Sequence, residues 1–237
     1  MYIDKEKYLE KKDNILKFLK EHRYLYDDRD YEMIISIISF DILLDNEGYS
    51  ANCDIAALLS KYNIFTEGND RYLMFYKMLE ELDFIKGNSL EIGSGPYPRL
   101  AEIIKDNHKR KDYNLTIYEK CDVFKTSKDI KIIKDAFTSS TNIENIDNIF
   151  SIMPCDASID ITLKGIKENK NLLIAYCSCD HSNKIYPKYR KRYWADNFCH
   201  TMKKRYGNLI EITEWEPLKE EKMPILIYRK RGCREIK

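Results

Sequence analysis

Gly87 separates two patterns of apolar residues in this sequence. Before it, apolar residues recur at helical spacing. After it, short apolar runs alternate with amphipathic stretches. The runs are Ser89–Ile92, Asn114–Tyr118, Ile130–Ile133, Asn148–Met153, Asn171–Tyr176, Leu209–Thr213 and Ile225–Tyr228. Pro98–His108, Ser158–Glu168 and Trp194–Tyr206 read as helices between them. Strands that alternate with helices predict an α/β chain with a mostly parallel, doubly wound, seven-stranded sheet. The last two runs follow one another without a helix, which suits an antiparallel hairpin at one edge.

The first part reads as a helical cap or lid over residues 1–86, followed by a ligand-binding domain over residues 87–237. Lys5–His22 places Leu9, Ile15, Leu16 and Leu19 among charges. Asp30–Leu44 is apolar nearly all round, which predicts one helix central to the bundle. Asn52–Tyr62 is short, and Asp54 is a candidate cap for it. Asp70–Phe84 is a further helix, stopped by Lys86-Gly87-Asn88.

Charged residues make up 33% of the chain and nearly cancel, leaving a net charge of +1. That excludes a wholly basic nucleic-acid coat but leaves room for a local basic patch. The seven cysteines are scattered and no pair has C-x-x-C spacing. A reduced, cytoplasmic protein is the simplest reading. MYIDKEKYLEKKD is charged throughout and lacks a signal-peptide core. The run Met33–Leu44 is interrupted by Asp41 and is too short to span a bilayer, so no membrane partner is expected.

The first strand leads into LEIGSGPYPR, Leu90 to Arg99. Open α/β sheets bind ligands beyond the carboxyl ends of their strands. Gly93 and Gly95 allow positive φ there and let a ligand approach the backbone. A dinucleotide fingerprint would want a third glycine where Pro98 stands, and Pro98 suits the first turn of a helix instead. Pro96 and Pro98 also remove two N–H donors that a pyrophosphate would use. Glu91 at the loop's base argues against phosphate and for an ammonium or sulfonium neighbour. Glu119 ends the second strand, where an acid can accept hydrogen bonds from both ribose hydroxyls. Asp135 ends the third, where it can accept from an adenine amino group.

LEIGSG, YE and KDAF, in this order and on these elements, resemble the first three motifs of class I S-adenosylmethionine-dependent methyltransferases. The resemblance covers roughly residues 85–237 and implies a Rossmann-like domain with S-adenosyl-L-methionine as cofactor. It implies cofactor contacts from Glu91, Gly93, Ser94, Gly95 and Pro96, from Glu119 and Lys120, from Asp135 and Ala136, and from Met153 at the end of the fourth strand. Cys155, Ala157 and Asp160, then Cys177, Cys179 and His181, resemble more loosely two elements of the tRNA acceptor-stem 2′-O-methyltransferases. Asp156 stands where those enzymes have glycine, Ser178 splits the tandem cysteines, and one histidine is missing. GSGPYP also resembles the loop of nicotianamine synthases, which transfer the aminocarboxypropyl arm of the same cofactor. The later strands match that family poorly.

Methyl transfer depends on positioning and a dry site, and a hydroxyl acceptor must also lose its proton. Asp156 and His181 are the candidate catalytic residues, either one as the base. Alternatively Asp156 and Asp180 bind a substrate amine. Cys177, Cys179 and His181 have no standard zinc spacing, and Cys155 and Cys177 read equally as strand-end core residues, so no metal is assigned.

Two acceptor classes fit, with RNA as the first reading and a small metabolite as the alternative. The segment KIYPKYRKRYW interleaves basic and aromatic side chains, and Arg190, Lys191, Arg192 and Tyr193 are candidates for holding RNA phosphates and bases. The same segment also reads as a solvated helix face. Against RNA stands a small metabolite under a helical lid, with Tyr24, Tyr26, Tyr31, Tyr72 and Tyr76 available to line its pocket. A cofactor-binding protein without catalysis is the third reading.

Overall fold

The computed structural model describes residues 2–108, 113–125, 130–177, 194–218 and 221–230. Helices α1 (Lys5–Glu21), α2 (Asp28–Ser39), α3 (Ile42–Asp45), α4 (Cys53–Lys61) and α5 (Arg71–Glu81) come first. They are followed by β1 (Asn88–Ile92), α6 (Arg99–Asn107), β2 (Asn114–Glu119), β3 (Lys131–Lys134) and β4 (Asn148–Ile152). Then come α7 (Ser158–Lys167), β5 (Asn171–Ala175), α8 (Trp194–Tyr206), β6 (Ile210–Leu218) and β7 (Glu221–Tyr228).

The sheet has seven strands in the order β3-β2-β1-β4-β5-β7-β6. β1 to β5 run parallel, and β7 pairs antiparallel with both β5 and β6. The expected hairpin is therefore present, with β7 turned inward and β6 left at the edge. Both of its strands are longer than their apolar cores suggested.

Strand pleat sorts side chains to two buried layers. On β1, Leu90 and Ile92 join one layer with Trp194, Phe198 and Ile161. Glu91 therefore faces the other side. On β2, Leu115 and Ile117 join the layer that holds the N-terminal helices and α6. Glu119 continues that alternation, so both acids point toward the face the helices cover. A one-residue slip in either strand would turn its acid to the wrong layer.

Four of the helix starts, those of α1, α2, α4 and α5, are capped by acid or amide side chains. Asp4 accepts from Lys7 N–H at 3.1 Å, Asp27 from Asp30 N–H at 2.8 Å and Asp70 from Tyr72 N–H at 2.9 Å. For α4 the cap is Asn52, which accepts from the N–H groups of Asp54 and Ile55 at 2.9 and 3.2 Å. Asp54, the residue expected to do this, has its carboxyl elsewhere. The single helix expected over Asp30–Leu44 is also broken. Asp41 adopts φ 56°, a left-handed conformation that no α-helix continues through, and Phe40 beside it is exposed. Only Ile34, Ile37 and Ile38 of α2 and Leu43 of α3 are buried, so this segment packs by one face. Pro98 stands one position before the first turn of α6. Among the described residues no helix is long and apolar enough to cross a membrane.

Candidate functional site

The carboxyl ends of β1, β2, β3 and β4 open into one cleft of about 700 Å³. Glu91, Gly93, Ser94, Gly95 and Pro96 line it from β1 and its loop. Glu119 and Lys120 line it from β2, Asp135 and Ala136 from β3, and Met153 and Asp156 from the end of β4. The residues the sequence marked on four separate strand ends thus meet around one space. His181, Arg190, Lys191, Arg192 and Tyr193 lie outside the described residues, as do Cys179 and Asp180.

Glu119 organises the loop. Its carboxylate accepts from Gly95 N–H at 2.9 Å and from Cys121 N–H at 3.1 Å. The backbone turn at Gly95 (φ 71°) presents that N–H inward. Gly93 (φ 73°) meets a second constraint, because a Cβ there would stand 3.3 Å from Pro154 Cα. The close approach draws the β4 loop against the glycine loop. Met153 and Cys155 in that loop have φ 55° and 39°, so the β4 end is held in a strained conformation of the kind that clusters at functional sites.

Glu91 is buried, and its Oε2 has no hydrogen-bond partner among the described residues. Burial, and then the nearby charge of Glu119, push its carboxyl up to about 8. Asp135 is exposed. Its Oδ1 accepts from Ala136 N–H at 2.7 Å and its Oδ2 from the Tyr118 hydroxyl at 3.3 Å. Asp156 accepts from Lys120 Nζ at 2.8 Å, and both side chains are about half exposed. That pairing raises the Lys120 amine and ties up the carboxylate proposed as a base.

The helices add residues that sequence reasoning missed. Asp27, Asp30, Cys53 and Asp54 line the cleft opposite the strand ends, together with Tyr24, Tyr26 and Tyr72. Asp54 Oδ1 stands 3.3 Å from where a Cβ on Gly95 would be. Burial, and then the charges of Asp30, Glu119 and Asp27, push the Asp54 carboxyl up to about 7. The Tyr26 hydroxyl is buried without a hydrogen-bond partner among the described residues. Of the five tyrosines expected to line a pocket, Tyr31 packs against the Arg23 guanidinium (4.3 Å) and Tyr76 donates to Glu80 at 2.5 Å instead. Cys53 Sγ lies 3.3 Å from Met153 Sδ, a contact that joins α4 to the β4 end. Cys177 is buried, and its carbonyl accepts from Trp194 Nε1 at 2.8 Å. A composition signal for the missed acids existed, since Asp27, Asp28 and Asp30 cluster in one turn.

A parallel sheet in the order 3-2-1-4-5, an antiparallel β7 between β5 and β6, and a glycine loop after β1 occur together in this chain. This is a Rossmann-like α/β fold of the kind that the resemblance to class I methyltransferases implied. No family model and no curated protein sequence matches the chain. Solved structures of similar fold include a ribosomal RNA methyltransferase from Plasmodium falciparum at 14% identity, covering 67% of this chain and 95% of that one, with a TM-score of 0.42. The plantazolicin methyltransferase BpumL, solved with SAH, is 13% identical over 92% of this chain and 99% of its own, with a TM-score of 0.44. The CurJ carbon methyltransferase is 10% identical over 92% of this chain and 70% of that one, with a TM-score of 0.47. In this chain, helices α1 to α5 roof the face on which Glu91 and Glu119 lie.

Proposed function

We propose that this protein is an S-adenosyl-L-methionine-dependent methyltransferase. One observation carries the reading. Glu91, Glu119 and Asp135 end three neighbouring strands, and all three line one cleft with the GSG loop between them. The residues fit the cofactor. Glu91 offers a buried carboxyl oxygen without a partner, suited to an ammonium or sulfonium group. Glu119 has spare acceptor capacity beyond its two N–H donors, suited to ribose hydroxyls. Asp135 is suited to an adenine amino group, with Ala136 and Phe137 beside it for the ring. When bound, the cofactor supplies a methyl group activated on a sulfonium.

The chain's own residues orient the ligand and exclude water. Gly93 and Gly95 bring backbone close to it, and Met153 and Pro154 form the wall at the β4 end. The enclosing helices dry the site. With Asp156 held by Lys120, positioning supplies more of the catalysis than a free base there would.

A small molecule suits this cleft as acceptor better than RNA does, because the helix side presents Asp27, Asp30 and Asp54. Isothermal titration with S-adenosylmethionine and S-adenosylhomocysteine tests the cofactor. Transfer of labelled methyl to a metabolite extract against total RNA tests the acceptor. Absence of cofactor binding would overturn the reading, and label confined to RNA would reverse the acceptor assignment.

A further inference from the structure

The cleft carries more negative charge than the cofactor would compensate. Of the basic side chains lining it, Lys120 pairs with Asp156 at 2.8 Å and Lys134 with Asp122 at 2.6 Å. The cofactor brings an ammonium, a sulfonium and a carboxylate, one net positive charge, and Glu91 on the sheet side answers it. Glu119 and Asp135 remain on the sheet side, where the adenosine would lie, and Asp27, Asp30 and Asp54 remain on the helix side. None of the three makes an ion pair among the described residues. Like-charged carboxylates gathered at one site raise each other's energy unless a cation lies among them.

A second observation marks this side as a ligand site. Tyr26 is 6% exposed, lines the same cleft, and its hydroxyl has no hydrogen-bond partner among the described residues. A buried hydroxyl left in this state costs free energy that a bound polar group would recover. Asp54 lies close enough to this hydroxyl for its charge to act on it. Tyr24, 64% exposed at the rim, and Tyr72 supply aromatic faces of the kind that attract organic cations.

We infer that the helix side of the cleft is the acceptor subsite and that it takes a small molecule bearing a protonated amine or another organic cation. The inference rests on the methyltransferase reading and names the acceptor class of that site. The carboxylates of Asp27, Asp30 and Asp54 surround the cation, and the Tyr26 hydroxyl bonds a polar group next to it. Phosphate-rich acceptors are repelled by the same three acids.

The test uses cells lacking this protein, whose metabolites are separated on a cation exchanger into retained and unretained fractions. Protein loaded with S-adenosylhomocysteine is heated with each fraction, and labelled methyl transfer from S-adenosylmethionine is followed in parallel, with total RNA as a third pool. The retained fraction is expected to raise the melting temperature by several degrees and to take the label. Asp54→Asn and Asp30→Asn are each expected to cut both responses at least about tenfold, while S-adenosylhomocysteine affinity by calorimetry stays within about threefold of the unaltered protein. Label or stabilisation that follows the unretained fraction or RNA would overturn the inference. So would the absence of any response in all three pools while the cofactor product binds. Failure of the unaltered protein to bind the cofactor product would instead overturn the methyltransferase reading itself.

Discussion

Asp54 Oδ1 on α4 stands 3.3 Å from the point where a Cβ on Gly95 would lie, across the cleft from β1. The approach brings the helical roof close to the glycine loop at two residues separated widely in sequence. It also shows why Gly95 has to be glycine. Its φ of 71° is one that L side chains rarely adopt, and the space a Cβ needs is bordered by a carboxylate.

Gly95→Ala is therefore expected to lower S-adenosylhomocysteine affinity at least about tenfold and to cost about 1 kcal/mol or more of stability. Calorimetry and urea unfolding read the two effects. Gly68→Ala is the control. Its φ is 79°, yet nothing lies within 4 Å of its Cβ position, so it should lose stability and keep its affinity.

Glu119→Ala removes the acceptor of Gly95 N–H and Cys121 N–H. Hydrogen bonds to charged groups contribute about 1.5–3 kcal/mol each, so cofactor affinity should fall by about tenfold to a hundredfold. Titration with S-adenosylmethionine measures this. Unchanged affinity would remove Glu119 from the ribose site.

The two buried carboxyls make stability depend on pH. Folding raises Asp54 from 3.8 to about 7 and Glu91 from 4.5 to about 8. Between those limits the folded protein holds protons that the unfolded chain has released. Their contribution is thus fully present below about pH 4, declines as pH rises, and levels off above about pH 8. Asp54→Asn should make the ligand-free protein more stable at pH 8, with a much smaller gain at pH 5. Melting temperatures of variant and parent across pH 4–9 check the sign, and a constant difference would contradict it.

Asn52→Ala should destabilise the fold by about 0.5–2 kcal/mol, because two N–H groups at the start of α4 lose their acceptor. The same change loosens the turn that aims Asp54. Cofactor-loaded and ligand-free protein compared by urea unfolding would show whether the loss grows when the cleft is filled.

Much of the sheet half was legible because its signals are local. Apolar runs bounded by turn residues predicted each strand, and Glu91, Glu119 and Asp135 were found by their place at strand ends. The helical half was less so. Asp30–Leu44 reads as one helix in sequence, but Asp41 takes a left-handed conformation that its neighbours' propensities do not announce. Asp54 looked like a helix cap since acids at such positions usually are, and Asn52 two residues earlier has that role. Asp156 looked like an available base until Lys120 was seen beside it.

The amino-acid order marked the residues proposed to serve a cationic, phosphate-poor ligand. Gly93, Gly95, Pro96 and the three strand-end acids are a matter of backbone freedom, missing donors and charge, and these belong to residues one at a time. The order did not say what would face them. Asp54, Asp30 and Tyr26 reach the cleft only because α1 to α5 pack on the sheet face toward which Glu91 and Glu119 point. Which face that is depends on strand register and helix docking, both set by burial summed over many distant contacts. The raised carboxyls of Asp54 and Glu91 follow from that packing, since desolvation acts on a side chain only once the rest of the fold encloses it.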